Sequence, residues 1–203
     1  GRAILNFSSK RQKLQRGHHP AMPYQMVPAF VSSLRNLESV SARALEFIIL
    51  TATRSGTALR SVRDGQVTGM RWDEVNVADG IWEIPANHMK TGRSFRLPLS
   101  SRPIQILEEM QLLDRPFVFP GQHQSKSLSE MACELMLRRL GAKPATVHGF
   151  RTSFRSWAAE ETEAADWVAE MCLAHTVGTA VERAYQRSDI LERRRALMQT
   201  WDE

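Results

Sequence analysis

The feature of this sequence that most constrains its fold is a change of hydrophobic period between residues 73 and 100. Short alternating runs occur there, at 75–77, 81–84 and 95–99, and an Ala-Asp-Gly turn separates the first two. Alternation is typical of strands, and Asp-Gly between two such runs predicts a hairpin. Outside this stretch, apolar residues recur at helical spacing. The sequence therefore predicts a mainly α-helical fold with a small three-stranded antiparallel sheet.

Predicted helices precede and follow this sheet. Their apolar residues recur every three or four positions, which places them on one face of a helix. No internal repeat interrupts the series, so one folded unit over residues 21–203 is expected. The predicted helical segments are 27–34, 45–50, 104–113, 128–140, 147–161, 164–174 and 179–200.

Composition limits the classes of protein to which the chain can belong. Apolar residues make up 42% of its 203 residues, which is enough for a packed core. No apolar run approaches the roughly 18–20 residues that span a membrane. The net charge of +5 favours a polyanionic partner. Cys133 and Cys172 lie in apolar helical surroundings, so buried free thiols are expected.

The first 20 residues differ from the rest of the chain. They are polar and basic, without sustained periodicity, and they predict a linker or arm. The chain also opens Gly-Arg-Ala without an initiator methionine, which is typical of a fragment cut from a longer protein.

Two segments carry reactive side chains in an informative order. His148-Gly-Phe-Arg151 heads a predicted helix, and His175 ends another, before a segment that reaches Tyr185. Taken singly, these residues are ordinary: an exposed polar pair and a half-buried amphipathic ring. Together they supply a phenol nucleophile, two imidazoles and a guanidinium, which can cleave a phosphodiester without a metal or another cofactor. In a basic chain this combination points to DNA.

The two segments, His-x-x-Arg and Leu-Ala-His-x-x-Gly-x-x-Val-Glu-x-Ala-Tyr-x-Arg, resemble the signature of the tyrosine recombinases, in particular of the phage and prophage integrases. The resemblance extends over about residues 20–203 and implies the DNA breaking-rejoining catalytic fold of that family. It also implies site-specific recombination, in which a tyrosine forms a 3′-phosphotyrosyl link to DNA. The catalytic residues that it implies are Arg54, Lys90, His148, Arg151, His175 and Tyr185.

The resemblance also implies a role for each residue. Tyr185 attacks the scissile phosphate and leaves a free 5′-hydroxyl, and His148 accepts its proton, because a phenol with a pKa of about 10 needs a base. Arg151 and a second arginine hold the phosphate oxygens, to which His175 donates a hydrogen bond. Lys90, between the second and third strands, protonates the leaving oxygen.

At the second arginine the sequence departs from the family pattern. Arg54 directly follows an apolar helix, as in the family, but about nine residues, 57–65, separate it from the segment that leads to Gly-x-Arg-Trp. Arg63 repeats the family spacing to Trp72, and Gln66 occupies the usual glutamate position. Arg54 is favoured as the second catalytic arginine because the apolar helix that precedes it is intact, and Arg63 is the alternative. With Arg54 in the site, residues 57–65 are expected to form an added loop or helical turn.

Partners and further domains are implied as well. The expected partner is double-stranded DNA with attachment sites, bound in the bacterial cytoplasm by a homo-tetramer of a protein that is monomeric when free. An excision factor or a host DNA-bending factor is a further expected partner. The family's arm-binding and core-binding domains do not fit in residues 1–20 and are expected outside this fragment. The C-terminal helix, 190–201, either is exchanged between protomers or packs on its own domain.

Two other functions are compatible with the same residues. A type IB topoisomerase uses similar arginine, lysine, histidine and tyrosine chemistry, although the Leu-Ala-His-x-x-Gly spacing favours an integrase. A catalytically impaired prophage integrase, with a site disrupted by the insertion after Arg54, would act only as a DNA-binding module. Covalent trapping of DNA separates an active enzyme from such a module.

Overall fold

The computed structural model describes residues 19–63, 66–89, 91–123, 125–177 and 190–203, with the backbone alone for 61–63 and 66–68. Lys90, Tyr185, the side chain of Arg63, residues 1–18 of the basic segment and the predicted helical start at 179–189 lie outside the described residues. The described part contains the three strands of the predicted sheet and the candidate site residues Arg54, His148, Arg151 and His175.

Eight α-helices and five strands form the described part of the chain. The helices are α1 (Val27–Arg35), α2 (Val40–Thr51), α3 (Ser55–Leu59), α4 (Ser101–Gln111), α5 (Glu130–Arg139), α6 (Phe150–Glu161), α7 (Asp166–Cys172) and α8 (Leu191–Asp202). The strands are β1 (Ser61–Arg63), β2 (Gln66–Thr68), β3 (Val75–Asn76), β4 (Ile81–Ile84) and β5 (Phe95–Pro98). The last three pair antiparallel in the order β3-β4-β5, so the predicted fold class is confirmed.

The three-stranded sheet packs on the core through Trp82 of β4. Trp82 is fully buried and contacts the ring of Phe47 in α2, with centroids 5.9 Å apart. Its Nε1 donates a hydrogen bond to Glu74 (3.1 Å), which precedes β3. Gly80, with a φ of +59°, closes the predicted Asp-Gly turn between β3 and β4, in a conformation that glycine adopts readily.

Helix α2 is the centre of the fold. Ser39 caps it, because its side chain accepts a hydrogen bond from the backbone N–H of Ala42 (3.2 Å). Residues 44–51 are all buried, as the apolar character of most of them predicts, and they include the carboxylate of Glu46. Helix α2 contacts α1, α4, α5 and α8. The helix ends at Ala52, whose left-handed backbone (φ +48°) turns the chain towards Arg54. The position from which Arg54 leaves the core is therefore fixed by packing on several sides.

The segment 57–65 differs from its prediction as a loop or helical turn. The prediction holds only for 57–59, which lie in α3, whereas Ser61–Arg63 pairs with Gln66–Thr68 as a hairpin. Asp64-Gly65 stands between these strands in the sequence, and Asp-Gly favours a two-residue hairpin connection. The flanking strands have three residues each, which is too short for a convincing alternation of apolar and polar side chains.

Helix α5 lies within the predicted segment 128–140, and its apolar residues occupy two faces. Cys133, Met136 and Leu137 face the core, whereas Met131 and Leu135 are 56% and 55% exposed. Apolar residues on both faces leave the orientation of the helix open, but the face that packs on the core contains Cys133, whose burial as a free thiol was expected.

Helix α6 begins at Phe150 rather than at residue 147. His148 therefore lies in the turn before the helix and not on the same helical face as Arg151. The backbone N–H of Arg151 donates to the carbonyl oxygen of His148 (3.2 Å), so the two residues are nevertheless tied together locally.

The C-terminal helix α8 packs on its own domain, which is one of the two arrangements that the sequence leaves open. Trp201 Nε1 donates to the carbonyl oxygen of Ile49 (3.0 Å). Arg194 is almost fully buried, donates to the carbonyl oxygen of Arg96 (2.8 Å) and lies over the ring of Phe95 (4.9 Å). These contacts attach the C-terminus to both α2 and the sheet.

Candidate active site

Arg151 is the centre of the site. It lies in the first turn of α6, and only 6% of the residue is exposed. Its guanidinium donates hydrogen bonds to the carbonyl oxygens of Ala52 and Leu173 (2.7 Å for Leu173) and lies 3.1 Å from Nε2 of His175. Arg151 therefore joins the end of α2 to the end of α7, although Ala52 is 99 positions away in the sequence.

Both helix ends that Arg151 joins contain an alanine with a left-handed backbone. Ala52 has a φ of +48°, and Ala174, which follows Leu173, has a φ of +51°. This conformation costs a residue other than glycine about 1–2 kcal/mol, so the surrounding contacts must hold it. The two turns lead to Arg54 and His175. Because the residues are alanines, the sequence carries no sign of these turns.

The segment that precedes α1 holds the turn before α6. The backbone N–H of Thr146 donates to the carbonyl oxygen of Pro20 (3.0 Å). Gly149 is required in this turn, because a Cβ there would lie 2.1 Å from the same oxygen. His148 is exposed, and its ring centroid lies 4.6 Å from that of His19. Residues 19 and 20 therefore help to position His148.

Arg54 is a neighbour of Arg151 in the structure. It is the N-cap residue of α3 and, with Arg151 and Met89, lines one small cavity. The residue after it, Ser55, donates a hydrogen bond to Glu130 of α5 (2.7 Å), which fixes the start of α3. Within the described residues, neither a hydrogen bond nor an ion pair engages the Arg54 guanidinium.

The two arginines concentrate positive charge in this cavity. Burial and then the neighbouring charge of Arg54 lower the pKa of Arg151 to about 9, an effect that Glu170 partly opposes. The hydrogen-bond partners of Arg151 are two carbonyl oxygens and an imidazole, and none of them is an anion. Two like charges with these partners favour the binding of an anion between them.

The two histidines have different surroundings. Partial burial of the ring and the charge of Arg151 lower the pKa of His148, which keeps its imidazole neutral at neutral pH and able to accept a proton. His175 has an anionic partner, since its Nδ1 lies 2.6 Å from Oε2 of Glu170 in α7. Sequence reasoning missed Glu170. The only available signal was a glutamate on the helix that ends just before His175.

A cleft of about 560 Å³ opens beside His175. It is lined by the connection between β4 and β5, including Met89 and Thr91, by Met171 at the end of α7, and by the residues that follow the helix, including Val177. Lys90 stands between Met89 and Thr91 in the sequence, and the segment with Tyr185 begins after Val177. Both residues lie outside the described part of the chain, so their places in the site stay predictions.

The groups that the structure brings together are therefore cations and imidazoles. In the described ranges, no group of three or more histidine, cysteine, aspartate or glutamate side chains is arranged to hold a metal ion. None of the helices in these ranges is long and apolar enough to cross a membrane. The arrangement of Arg54, His148, Arg151 and His175 can bind the oxygens of a phosphate ester through hydrogen bonds and charge.

Comparison with known proteins agrees with this chemistry. Residues 29–191 match the model of the phage integrase family. The chain belongs to the phage integrase family. It is 34% identical to prophage integrase IntA of Escherichia coli (strain K12), over 97% of this chain and 47% of that protein. It is 30% identical to the integrase of Enterobacteria phage P4, over 91% of this chain and 45% of that protein. The chain spans about half the length of these relatives.

Solved structures show that this phage integrase family member has the tyrosine recombinase catalytic fold. XerA recombinase superposes with a TM-score of 0.54 at 14% identity, over 86% of this chain and 67% of that chain. The Tn1549 transposon integrase, solved with a circular intermediate DNA, superposes with a TM-score of 0.55 at 12% identity and the same coverage.

Proposed function

We propose that this chain carries the catalytic site of a site-specific DNA recombinase that cleaves and rejoins DNA through a 3′-phosphotyrosyl intermediate. The observation that carries the proposal is that Arg54 and Arg151 are neighbouring cations. Neither of them has a carboxylate partner in the described part of the chain. Negative charge gathers on the non-bridging phosphate oxygens in the transition state, and two guanidiniums can neutralise it. Membership of the phage integrase family supports the same function.

The proposal assigns the first catalytic arginine to Arg54 rather than to Arg63. Arg54 lines the same cavity as Arg151, and its charge acts on both Arg151 and His148. The hairpin of β1 and β2 follows α3 and leaves the two arginines together. This arrangement supports an active integrase over an impaired one, because the inserted residues do not separate the pair.

The proposed reaction has two transesterification steps. In the first, the Tyr185 oxygen forms a bond to phosphorus, the bond from phosphorus to the 5′-oxygen breaks, and the phenol proton passes to His148. Lys90 gives a proton to the leaving 5′-oxygen. In the second, a 5′-hydroxyl of the partner strand attacks the phosphorus and gives its proton to Lys90, while the bond from phosphorus to the tyrosine oxygen breaks and His148 returns the proton to that oxygen. The energy of the phosphodiester is kept in the tyrosyl ester between the steps.

The remaining groups hold the phosphate. Arg151 has five N–H groups, of which three are directed to Ala52, Leu173 and His175, so two are left for phosphate oxygens. His175 is proposed to donate a hydrogen bond to one of those oxygens. The neutral His148 is suited to the role of base, since its pKa is lowered.

The proposed partner is double-stranded DNA with attachment sites, in the bacterial cytoplasm. The Tn1549 transposon integrase, which has the same fold, was solved with a circular intermediate DNA, and that supports DNA as the ligand. We also propose that residues 21–203 form the catalytic domain, that residues 1–20 are a basic linker, and that the protein is monomeric when free and tetrameric on DNA. An excision factor or a host DNA-bending factor completes the proposed set of partners.

Covalent trapping tests this function. The protein is incubated with nicked duplexes whose central sequence is randomised, and adducts that survive denaturation are isolated and their DNA is sequenced. A nick beside the scissile phosphate lets the short 5′ product diffuse away, so the tyrosyl ester accumulates. The expected result is an adduct in which the DNA is attached to Tyr185 and the recovered sequences share a motif.

The two tyrosines of the chain supply a matched pair of variants. Tyr185→Phe should abolish the adduct and leave DNA affinity almost unchanged, because arginines and lysines carry that affinity. Tyr24→Phe should retain the adduct. Hydrogen bonds from its hydroxyl to Glu161 (2.6 Å) and Glu160 (3.0 Å) raise the pKa of Tyr24, which makes it a poor nucleophile. DNA binding without any adduct in the parent would identify an impaired integrase.

A further inference from the structure

Glu170 is placed to control His175. Its Oε2 lies 2.6 Å from Nδ1 of His175, and its Oε1 accepts a hydrogen bond from Nε of Arg155 (2.6 Å). Arg155 in turn contacts Asp166 (3.1 Å). On the other side of the ring, Nε2 of His175 lies 3.1 Å from Arg151. A line of paired side chains therefore leads from Asp166 on the surface of α7 through Arg155, Glu170 and His175 to Arg151 at the centre of the site.

The hydrogen bonds define the state of the His175 ring in the absence of DNA. Partial burial raises the pKa of Glu170, but hydrogen bonds from His175 and Arg155 outweigh this effect, and the net pKa is lowered. An ionised carboxylate only accepts hydrogen bonds, so Nδ1 of His175 carries a proton. Arg151 only donates, so Nε2 presents its lone pair to it. In the free site Nδ1 therefore donates to Glu170, and Nε2 is the acceptor for Arg151.

In this state the His175 ring cannot donate a hydrogen bond to a phosphate through Nε2. A hydrogen bond from Nε2 to a phosphate oxygen needs a second proton on the ring, and the doubly protonated imidazole is a cation. Glu170 is the anion beside that cation. When phosphate oxygens replace Nε2 as acceptors for Arg151, a ring that carries both protons presents Nε2 to the phosphate as a donor.

We propose that Glu170 is a positioning residue for His175, which fixes the first ring proton on Nδ1 and stabilises the doubly protonated ring that donates to the phosphate. This inference rests on the proposed recombinase function. Arg155 keeps the Glu170 carboxylate in place from its other oxygen. The arrangement has the form of other carboxylate–histidine pairs, in which the carboxylate orients the ring and stabilises its cation.

A double-mutant cycle tests the inference on the full protein. Glu170→Gln keeps the size of the side chain and removes its charge. We expect adduct formation on the trapped DNA to slow by about 10–100-fold with unchanged DNA affinity, as for other orienting partners of a functional histidine. In a His175→Ala background, Glu170→Gln should produce no further loss. An equal loss in both backgrounds would show a merely structural role and overturn the inference.

Asp166→Asn is the matched control. Asp166 contacts Arg155 from the exposed end of the same line, with 78% of its side chain exposed, and does not touch His175. The control should keep the adduct rate within about twofold. A loss as large as that of Glu170→Gln would mean that the whole line only stabilises α7, which contradicts the inference.

Nuclear magnetic resonance of the histidine ring nitrogens provides a readout that needs no reaction. At about pH 8, where an unperturbed imidazole is neutral, His175 of the parent should carry its proton on Nδ1. Glu170→Ala should lose this preference. A proton on Nε2 in the parent would overturn the inference. If the parent forms no adduct, the proposed function fails. The ring spectrum still tests whether Glu170 fixes the proton of His175 on Nδ1.

Discussion

The chain contains two clusters of arginines with opposite surroundings. The carboxylate-paired cluster consists of Arg35, Arg43 and Arg102 around Glu46 and Glu109. Glu46 is fully buried, and Arg102 contacts it (2.9 Å) and Glu109 (2.7 Å). Burial would lower the pKa of Arg102, but these carboxylates raise it. In the active-site pair, Arg54 and Arg151 have no carboxylate partner in the described ranges, and the pKa of Arg151 is lowered to about 9.

The difference distinguishes a structural role from the functional role proposed for Arg54 and Arg151. The carboxylate-paired cluster connects α2 to α4, and its charges are balanced within the protein. The active-site pair gathers charge that the protein leaves unbalanced, and the buried Arg151 is kept there by carbonyl oxygens. An arrangement that lowers the stability of the free protein but binds an anion is typical of a site for a phosphate.

The largest expected effect is a difference in the rate of adduct formation between a variant of the active-site pair and a variant of the carboxylate-paired cluster. Arg151→Ala should slow adduct formation by about a hundredfold or more, and by more than it weakens DNA binding, because a preorganised donor to the transition state is lost. Arg102→Ala should leave the rate within about threefold but lower the free energy of unfolding by about 1–2 kcal/mol, because buried Glu46 loses one charged partner and keeps Arg35 (2.7 Å). Trapping kinetics, DNA titration and urea unfolding measure these quantities. Equal losses of rate and binding in Arg151→Ala would make it an ordinary phosphate contact.

The second comparison concerns Arg54 and Arg63. Arg54→Ala should slow adduct formation by about a hundredfold, since each guanidinium neutralises one phosphate oxygen. The same change should raise the melting temperature by about 1–3 °C, because it removes the charge that acts on Arg151. Arg63→Ala should stay within a few-fold of the parent rate. The reverse pattern of rates would show that Arg63 is the catalytic arginine.

The active-site pair should also be visible in the pH dependence. Because the pKa of His148 is lowered, the ring stays in its basic form at pH values somewhat below about 6.5, the usual pKa of an imidazole. As pH falls through that lowered pKa, the adduct rate should fall by about tenfold per unit, because the base becomes protonated. The folded state should lose stability in the window between the lowered pKa and about 6.5, where only the unfolded chain takes up the proton. A His148→Asn variant that keeps the same acid slope would assign the slope to another group.

The smallest effect should come from inorganic phosphate. An anion that binds only the folded protein stabilises it by about 1.4 kcal/mol at ten times its dissociation constant. For a chain of this size that corresponds to a rise of about 3–5 °C in melting temperature. The rise should persist in Arg102→Ala and disappear in Arg54→Ala. A rise that is equal in the parent and in both variants would place the anion elsewhere.

Local patterns predicted most of the fold. The alternating runs and Asp79-Gly80 identified the sheet, because strand period and turn chemistry are properties of neighbouring residues. The hairpin of β1 and β2 was not predicted, since its strands are too short for a periodic pattern. The apolar pattern of α5 likewise does not predict which face is buried, because its apolar residues occupy two faces and only packing selects one.

The sequence by itself determined the helical fold with its small sheet, and it named His148, Arg151 and His175 as residues for phosphate chemistry. Only the tertiary structure decided that Arg54 lies beside Arg151, that Glu170 holds His175 and that α8 packs on its own domain. The physical reason is distance along the chain. Periodicity and turn residues encode contacts between near neighbours, whereas the bond from Arg151 to Ala52 joins residues 99 positions apart. Such a contact exists only because α2, α6 and α7 pack together.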